Sequence, residues 1–395
     1  MTMATVAPGA PALAAEWSGS WVVSGDWEMV LEPWRATRAR FAPTDLGSDP
    51  DWCRAYAQIH PGALGWVRLE RKGEALVLPL AIERQQLRCC LGDFCVHCFH
   101  PRMLRLLGDQ KGMPESEDCF RALLRTLLEQ RERWDALSFT LPTAGIAWQW
   151  LQHGGARALG LNAYQPSPPG PHDLLEFPAS FADYTAKFTP KTRKNREREL
   201  RHLQQQGRVR LSCYRRPEEV EPFLQVAGAL SRRSYQHRLL RAGLRSPERL
   251  RPRLEVAARQ GWLRSYVLWC NNTACSFLLG YQYRGRYEYA SIGYDPEWAK
   301  WSVGTVLQWL VLQDMFAHDC PEVFDFGSRG PQKQYFGNRQ FEEGVLYLFR
   351  PGVYPTLART CHQRTRRLTL ATGAWLEQRH IKPKAQRLLR RLAGC

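Results

Sequence analysis

The residues best placed to do chemistry lie between positions 287 and 335. Ser302-Val303-Gly304-Thr305 opens a long apolar run, 305–317, that contains no Gly or Pro. A loop entering a helix there presents unpaired backbone N–H groups and the positive end of the helix dipole, which suits a phosphate. Gly304 lets the backbone come close to such a ligand. The competing reading is an ordinary strand-to-helix turn with Ser302 as its N-cap. Asp325 and the pair Tyr294-Asp295 fall at the C-terminal ends of expected strands, where sites in open α/β sheets gather. Asp325 is the first candidate for a general base or an amine anchor. Its plain alternative is a structural carboxylate holding the turn at Gly327. His237 has a pKa suited to a base, but Arg232, Arg233 and Arg238 around it read as a surface helix end.

The elements that must carry these groups follow from periodicity. Residues 287–295 alternate aromatic and small side chains, a period of two that predicts a strand. Pro296 stops it. The apolar run 305–317 predicts a largely buried helix, ended at 318–321, and 323–327 predicts the next strand. The unit is strand, small-residue loop, helix, strand.

The stretch "YEYASIGYDPEWAKWSVGTVLQWLVLQDMFAHDCPEVFDFGSRGPQKQYFG" resembles the C-terminal half of a GNAT-type acyltransferase. The nearest branch is the CelD-like (cellulose-biosynthesis-type) acetyltransferases, relatives of the FemAB/FemX aminoacyltransferases. The resemblance rests on order: a tyrosine-rich strand, Tyr-Asp-Pro, Ser-x-Gly, Phe-Asp-x-Gly, then a Lys with aromatic neighbours. It implies an acyl-CoA donor, acetyl-CoA or a longer acyl-CoA, with no metal. The donor pyrophosphate would lie on Ser302, Val303, Gly304 and Thr305, and Lys300 would stand for the first basic residue of the family's loop. The thioester carbonyl would meet a backbone N–H near 290–293. Tyr287, Tyr294 and Tyr335 are candidate acids for the leaving thiolate. Lys333, in Gln-Lys-Gln-Tyr-Phe-Gly337, resembles the Phe-Lys-x-Phe-Gly lysine of FemX-like enzymes without its first aromatic. Tyr287 and Tyr289 are expected substrate contacts.

Charge is the extreme of the composition: +17 over 395 residues, with 15 Trp. The excess sits in three stretches, 187–216, 232–264 and 359–395. The first holds eleven Lys/Arg against Glu197 and Glu199. Such faces draw anions, here the nucleotide end of CoA, tRNA, an acidic polysaccharide or a membrane surface, unless they are simply solvated helix faces. Thr189-Pro190 opens a helix reading Lys-Thr-Arg-Lys-Asn, which resembles the equivalent helix of the CelD-like branch. Arg193 and Lys194 on it are expected to face an anionic group.

The rest of the chain predicts an α/β (α+β) fold with two tandem GNAT-like domains, each a mixed central sheet flanked by helices. Residues 1–18 read as a flexible leader and 19–163 as the N-terminal domain. Residues 164–173 form a linker, since 164–171 contains four prolines in eight positions. Residues 174–353 form the acyltransferase domain, and 354–395 a basic helical tail that either packs or meets a membrane surface or polyanion.

Twelve cysteines in apolar segments do not form a spaced disulfide framework and read as reduced thiols. The run 88–98, with Cys89, Cys90, Cys95, His97 and Cys98, reads as a hairpin rather than a zinc knuckle pair. Residues 1–15 lack a basic n-region, and no run approaches transmembrane length. A cytoplasmic protein is expected, peripheral to the inner membrane face at most. No Ser-His-Asp order, Walker loop or dinucleotide fingerprint occurs. The readings are an acyl-CoA-dependent N-acyltransferase on an amine of a polysaccharide, lipid or small metabolite; a FemX-like aminoacyl-tRNA-dependent transferase; or a non-catalytic polyanion- or nucleic-acid-binding protein.

Overall fold

A computed structural model describes residues 16–23, 27–41, 44–92, 94–108, 115–233, 244, 247–328 and 331–378. Its strands are β1 (Ser18–Val23), β2 (Leu64–Arg71), β3 (Glu74–Arg84), β4 (Leu87–Leu91), β5 (Phe94–Phe99), β6 (Arg102–Leu106), β7 (Ala136–Pro142), β8 (Asn162–Tyr164), β9 (Gly170–Glu176), β10 (Val209–Tyr214), β11 (Ser265–Cys270), β12 (Thr273–Tyr283), β13 (Arg286–Tyr294), β14 (Val323–Ser328) and β15 (Arg339–Phe349).

One mixed sheet runs through the molecule in the order β1-β2-β3-β6-β7-β15-β9-β14-β13-β12-β11-β10. The two halves repeat one pattern. Antiparallel strands lead to one short parallel pair: β6–β7 across the helix Glu117–Glu129, and β13–β14 across the helix Val303–Ala317. This is the tandem α/β arrangement expected from the element order. The two expected sheets are joined because the last strands trade places. Strand β15, late in the chain, pairs through Glu343–Phe349 with β7 of the first half, and through Arg339–Glu343 with β9. Strand β9, early in the chain, pairs with β14 of the second half.

The proline-rich segment differs from a plain linker. Residues 170–173 belong to β9, and Tyr164 closes β8. The last proline of that run, Pro171, sits opposite Glu342 near the start of β9, a position where a strand tolerates a missing N–H. Residues 1–15 and 379–395 lie outside the described residues, and the described part of the tail is the helix Val353–Gln378. Position 18 already belongs to β1.

Apolar packing covers both sheet faces in each half. In the second half, Val306, Leu307, Val311, Leu312 and Met315 of the helix Val303–Ala317 pack on Tyr287, Phe324 and Phe326. The helices Val220–Arg233 and Pro247–Arg259 pack on Phe277, Leu279 and Tyr281 of the opposite face. Alternation therefore decides the site. With Tyr287, Phe324 and Phe326 turned to one core, Arg286, Glu288 and Asp325 fall on the other face.

Candidate active site

The parallel pairing of β13 with β14 stops early. It covers Arg286↔Val323, Tyr287↔Phe324 and Glu288↔Asp325 and goes no further. Beyond that point β13 stays with β12, while β14 pairs with β9. The two strands diverge, opening a wedge in the sheet. At the mouth of the wedge β13 carries a bulge. Its register with β12 passes from Ser291↔Leu279 to Tyr289↔Gly280, which leaves Ala290 out of the ladder. Ala290 is exposed, and with Glu288 and Tyr289 it lines a cleft of about 260 Å³. Arg286, Asp325 and Gly327 complete one wall, and Asp45, Gly47 and Gly108 of the first half form the other.

Behind the cleft, four strands each contribute one charge. His172 Nε2 on β9 lies 2.6 Å from Asp325 Oδ1 on β14. Its Nδ1 lies 2.9 Å from Glu343 Oε2 on β15, close enough for an ion pair but off the line of a straight hydrogen bond. Arg286 of β13 pairs with Asp325 Oδ2, and the Gly327 N–H donates to Asp325 Oδ1 at 2.6 Å. Phe341 stacks on the imidazole at 4.6 Å between ring centres. Burial opposes a charge on His172, but Asp325 and Glu343 outweigh it and raise its pKa to about 9. Burial likewise opposes the Asp325 carboxylate, yet His172, Arg286 and the Gly327 N–H bring its pKa down to about 2. Two cations and two anions are thus held together at the junction of the halves.

The first-half wall is held by Arg38, a buried arginine of the helix Trp27–Phe41. Its guanidinium donates to Ser48 Oγ (3.1 Å), Asp49 Oδ2 (3.1 Å), the Asp45 carbonyl (2.6 Å) and Tyr283 Oη (3.0 Å). Tyr283 belongs to β12 and donates in turn to Asp49 at 2.9 Å. One arginine therefore fixes the 45–49 loop against a strand of the other half. Gly108, at φ +85°, lies so close to Asp45 that a Cβ would sit 2.0 Å from its Oδ2.

At the far end of β13, Asp295 caps a 3-10 turn, Pro296–Trp301, and accepts from Arg233 at 3.0 Å. Ser302 has φ +53° and its side chain makes no capping bond, so its expected role as a side-chain N-cap is not what the structure shows. Its carbonyl accepts from the Thr305 and Val306 N–H groups. The N–H groups of Val303 and Gly304 belong to the first helical turn, where no earlier carbonyl of the helix can reach them. A Cβ on Gly304 would touch only Tyr294, at 3.8 Å. Neither backbone angle nor packing demands glycine there. The first turn of this helix carries no acidic residue, whereas the matching helix of the first half opens with Glu117 and Asp118. Of these two matching helices, the second-half one presents the start that suits an anion.

The basic helix, Pro190–Gln204, is capped by Thr189 and packs on both the 3-10 turn and the helix Val303–Ala317. Arg193 is half-buried on it and Lys194 exposed. Tyr335, in the short helix Pro331–Phe336, donates to Thr192 Oγ1 at 3.1 Å and stacks on Phe188. Lys187 secures the turn that follows by donating to the carbonyls of Phe336 (2.5 Å) and Gly337 (2.8 Å). Burial lowers its pKa to about 8.

The expected residues thus separate. Asp325 and Tyr289 line the cleft; Ser302, Val303, Gly304 and Thr305 form the helix start, with Tyr294 against Gly304. Lys300 is exposed beside them, its ammonium 4.1 Å from the Trp301 ring centre. Tyr287 is displaced from both of its expected roles. It is wholly buried, lies across Gly280, and its hydroxyl donates to the Arg264 carbonyl at 2.9 Å. Asp325 as a general base is also displaced. Both its oxygens are engaged and its pKa is too low to hold a proton near neutrality. The Lys333 side chain and His237 lie outside the described residues. Nothing in the sequence singles out His172, Arg286, Glu288, Glu343 or Arg38.

Residues 190–337 match the model of the acetyltransferase (GNAT) domain. That segment is a GNAT domain. The splayed parallel pair, the bulge and the open helix start all lie within it. Among solved structures, the crystal structure of FemX is similar at a TM-score of 0.55 and 11% identity, over 83% of this chain and 97% of that one. A tandem GNAT protein from the clavulanic acid biosynthesis pathway, solved without AcCoA, is similar at 0.50 and 12% identity, over 86% of this chain and 99% of that one. Both likenesses concern the fold. No curated protein matches the sequence. The GNAT domain begins at the basic helix and ends at Gly337, so β9, β15 and Arg38 support it from outside its matched span.

Proposed function

We propose that the protein is an acyl-CoA-dependent N-acyltransferase, and that the wedge between β13 and β14 receives the acyl thioester. The observation that carries this reading is the divergence after Glu288↔Asp325 with Ala290 bulged beside it. A bulge turns backbone polar groups out of the ladder, and the Ala290 N–H is the group proposed to polarise the thioester carbonyl. The donor pyrophosphate then rests on the N–H groups at the start of the helix Val303–Ala317, with Lys300 at its rim.

The acceptor amine enters from the 260 Å³ cleft. Three carboxylates, Asp45, Glu288 and Asp325, and one guanidinium, Arg286, line it. An amine arrives as an ammonium, and such a lining attracts it. Glu288 takes over the role of base from Asp325: it lies on β13, two residues before the bulge, and lines the cleft. It accepts the proton, the nitrogen attacks the carbonyl carbon, and the C–S bond breaks. Tyr294, on β13 against Gly304, and Tyr335 are the candidates to return a proton to the thiolate. Lys333 keeps its proposed place near the developing charge.

Within the superfamily, the Lys-Thr-Arg-Lys-Asn opening supports the CelD-like branch. A second reading, transfer from aminoacyl-tRNA, is favoured by the fold shared with FemX and by the basic helix beside the site. Thermal shift separates the two. A saturating donor raises the melting temperature by mass action. Stabilisation by acetyl-CoA or a longer acyl-CoA is expected. Stabilisation by tRNA alone, lost at higher salt, would replace the first reading with the second.

A further inference from the structure

Hairpin β4–β5 lies outside the main sheet and packs along the helix Val353–Gln378. Thr369 ties the two together near the hairpin tip: its Oγ1 donates to the Cys90 carbonyl at 2.8 Å and accepts from the Gly92 N–H at 3.1 Å. At the other end, Tyr354 Oη accepts from the His100 N–H at 3.0 Å. Among the described residues eleven large apolar side chains are exposed, and eight belong to this one unit. Three are on the hairpin, Leu91, Phe94 and Val96, and five on the helix, including Val353, Leu357 and Leu368. Scattered exposed apolar residues need no explanation, but a concentrated set does.

The charge on the same unit has one sign. The helix carries Arg359, Arg364, Arg366 and Arg367 against the single acid Glu377, and β4 adds Arg88. At 100° per residue, Val353, Leu357, Arg364 and Leu368 fall within an arc of about 60°. Arg364 and Arg367 are exposed beside Leu368. Arg364 therefore shares the stripe with the apolar side chains and Arg367 borders it, whereas Arg359 and Arg366 fall on the opposite side of the helix. Where phosphates border acyl chains, arginine stems lie along apolar surface while their heads reach the anions. No helix among the described residues is long and apolar enough to cross a membrane.

We propose that the β4–β5 hairpin and the helix Val353–Gln378 form one docking face for an anionic lipid surface. Leu91, Phe94 and Leu368 enter the headgroup boundary, and Arg364 and Arg367 meet lipid phosphates. The face is separate from the cleft, so the proposal stands whichever donor the site uses.

The test is vesicle flotation of the full chain with phosphatidylcholine vesicles and with mixed phosphatidylglycerol–phosphatidylcholine vesicles. Binding to the anionic vesicles alone is expected, weakening as salt rises. Phe94→Ser with Val96→Ser removes apolar contact, and Arg364→Glu with Arg367→Glu reverses charge. All four positions are exposed, so folding is spared. Each pair should lower the vesicle partition constant about tenfold or more. Failure to float with phosphatidylglycerol vesicles at low salt would overturn the proposal. Wild-type flotation by the apolar pair would also overturn it, since charge attraction by residues 379–395 would then suffice. Self-association abolished by the same substitutions, without vesicle binding, would make the face a contact between copies of this chain.

Discussion

His172 and Asp325 lie 153 positions apart in sequence and meet at 2.6 Å across the join between the two halves. The pair, with Glu343 and Arg286, locks β9, β14, β15 and β13 at the point where the sheet splits. A buried ion pair is weak evidence for stability, but removing one member leaves an uncompensated buried charge.

His172→Gln should therefore destabilise the fold by about 3 kcal/mol, read from urea unfolding near pH 6. The pH dependence has a defined sign. The His172 pKa is raised to about 9, so its contribution is complete below the unfolded value near 6.5 and fades as pH climbs through 9. The Asp325 pKa is lowered to about 2, so its contribution is present above about 4 and fades as pH falls through 2. Wild type should lose stability on the alkaline side between pH 6.5 and 9, and His172→Gln should flatten that limb. An unchanged alkaline limb in the variant would mean that His172 is neutral in the folded protein.

Arg38→Leu tests the link between halves. The substitution leaves Asp49 buried without its guanidinium and removes the Arg38 bond to Tyr283, while the Tyr283 hydroxyl still donates to Asp49. A loss of about 3–5 kcal/mol is expected. Tyr283→Phe removes one hydroxyl from the same network and should cost only about 1 kcal/mol. In that milder variant, a raised KM for the amine with an unchanged donor affinity would show that the loop shapes the acceptor wall. Unchanged kinetics would reduce the network to a structural tie.

The sequence discloses local elements well and long-range joins poorly. Thr189 caps the helix that the sequence opens there, as Asp49 and Ser180 cap theirs, because capping is decided within three residues. The strand–loop–helix–strand unit from Tyr287 to Gly327 follows from periodicity alone, and the helix start with Gly304 with it. His172 could not be found this way. It follows a proline run, and its partners Asp325 and Glu343 lie far along the chain. Tyr287 is wholly buried because Gly280, paired with Tyr289 in the ladder, leaves room for the Tyr287 ring, and such a diagonal space carries no label in sequence. The bulge at Ala290 is equally silent, since one unpaired residue does not break the visible alternation. The crossing of β15 into the first half depends on pairing across the whole chain.

Glu288→Gln separates the two carboxylate candidates for the base. If Glu288 accepts the amine proton, kcat should fall about 10²–10⁴-fold while donor affinity holds. The acidic limb of the kcat/KM profile should also disappear. Asp325→Asn should instead lower stability, because His172 and Arg286 lose their shared anion. Full activity in Glu288→Gln, measured as acyl-CoA consumption with any accepted amine, would return the search to Asp45 or to a water path.

Gly304→Val tests the donor site itself. The position tolerates a side chain, since a Cβ there would meet only Tyr294 at 3.8 Å, an ordinary contact distance. Its backbone has no need of glycine, and valine at a helix start costs less than about 1 kcal/mol. Melting should therefore stay within a few degrees of wild type. A branched side chain would nevertheless stand over the N–H groups of the first helical turn and hold a pyrophosphate away. Donor affinity should fall by about 2–3 kcal/mol, the worth of one or two hydrogen bonds to a charged group. The measurement is calorimetric titration of CoA and acetyl-CoA into both proteins. Gly304→Ala offers an intermediate, with a smaller loss because one methyl group reaches less far. Equal donor binding by wild type and a folded Gly304→Val protein would remove the pyrophosphate from this turn, and the proposed seat of the donor in the β13–β14 wedge with it.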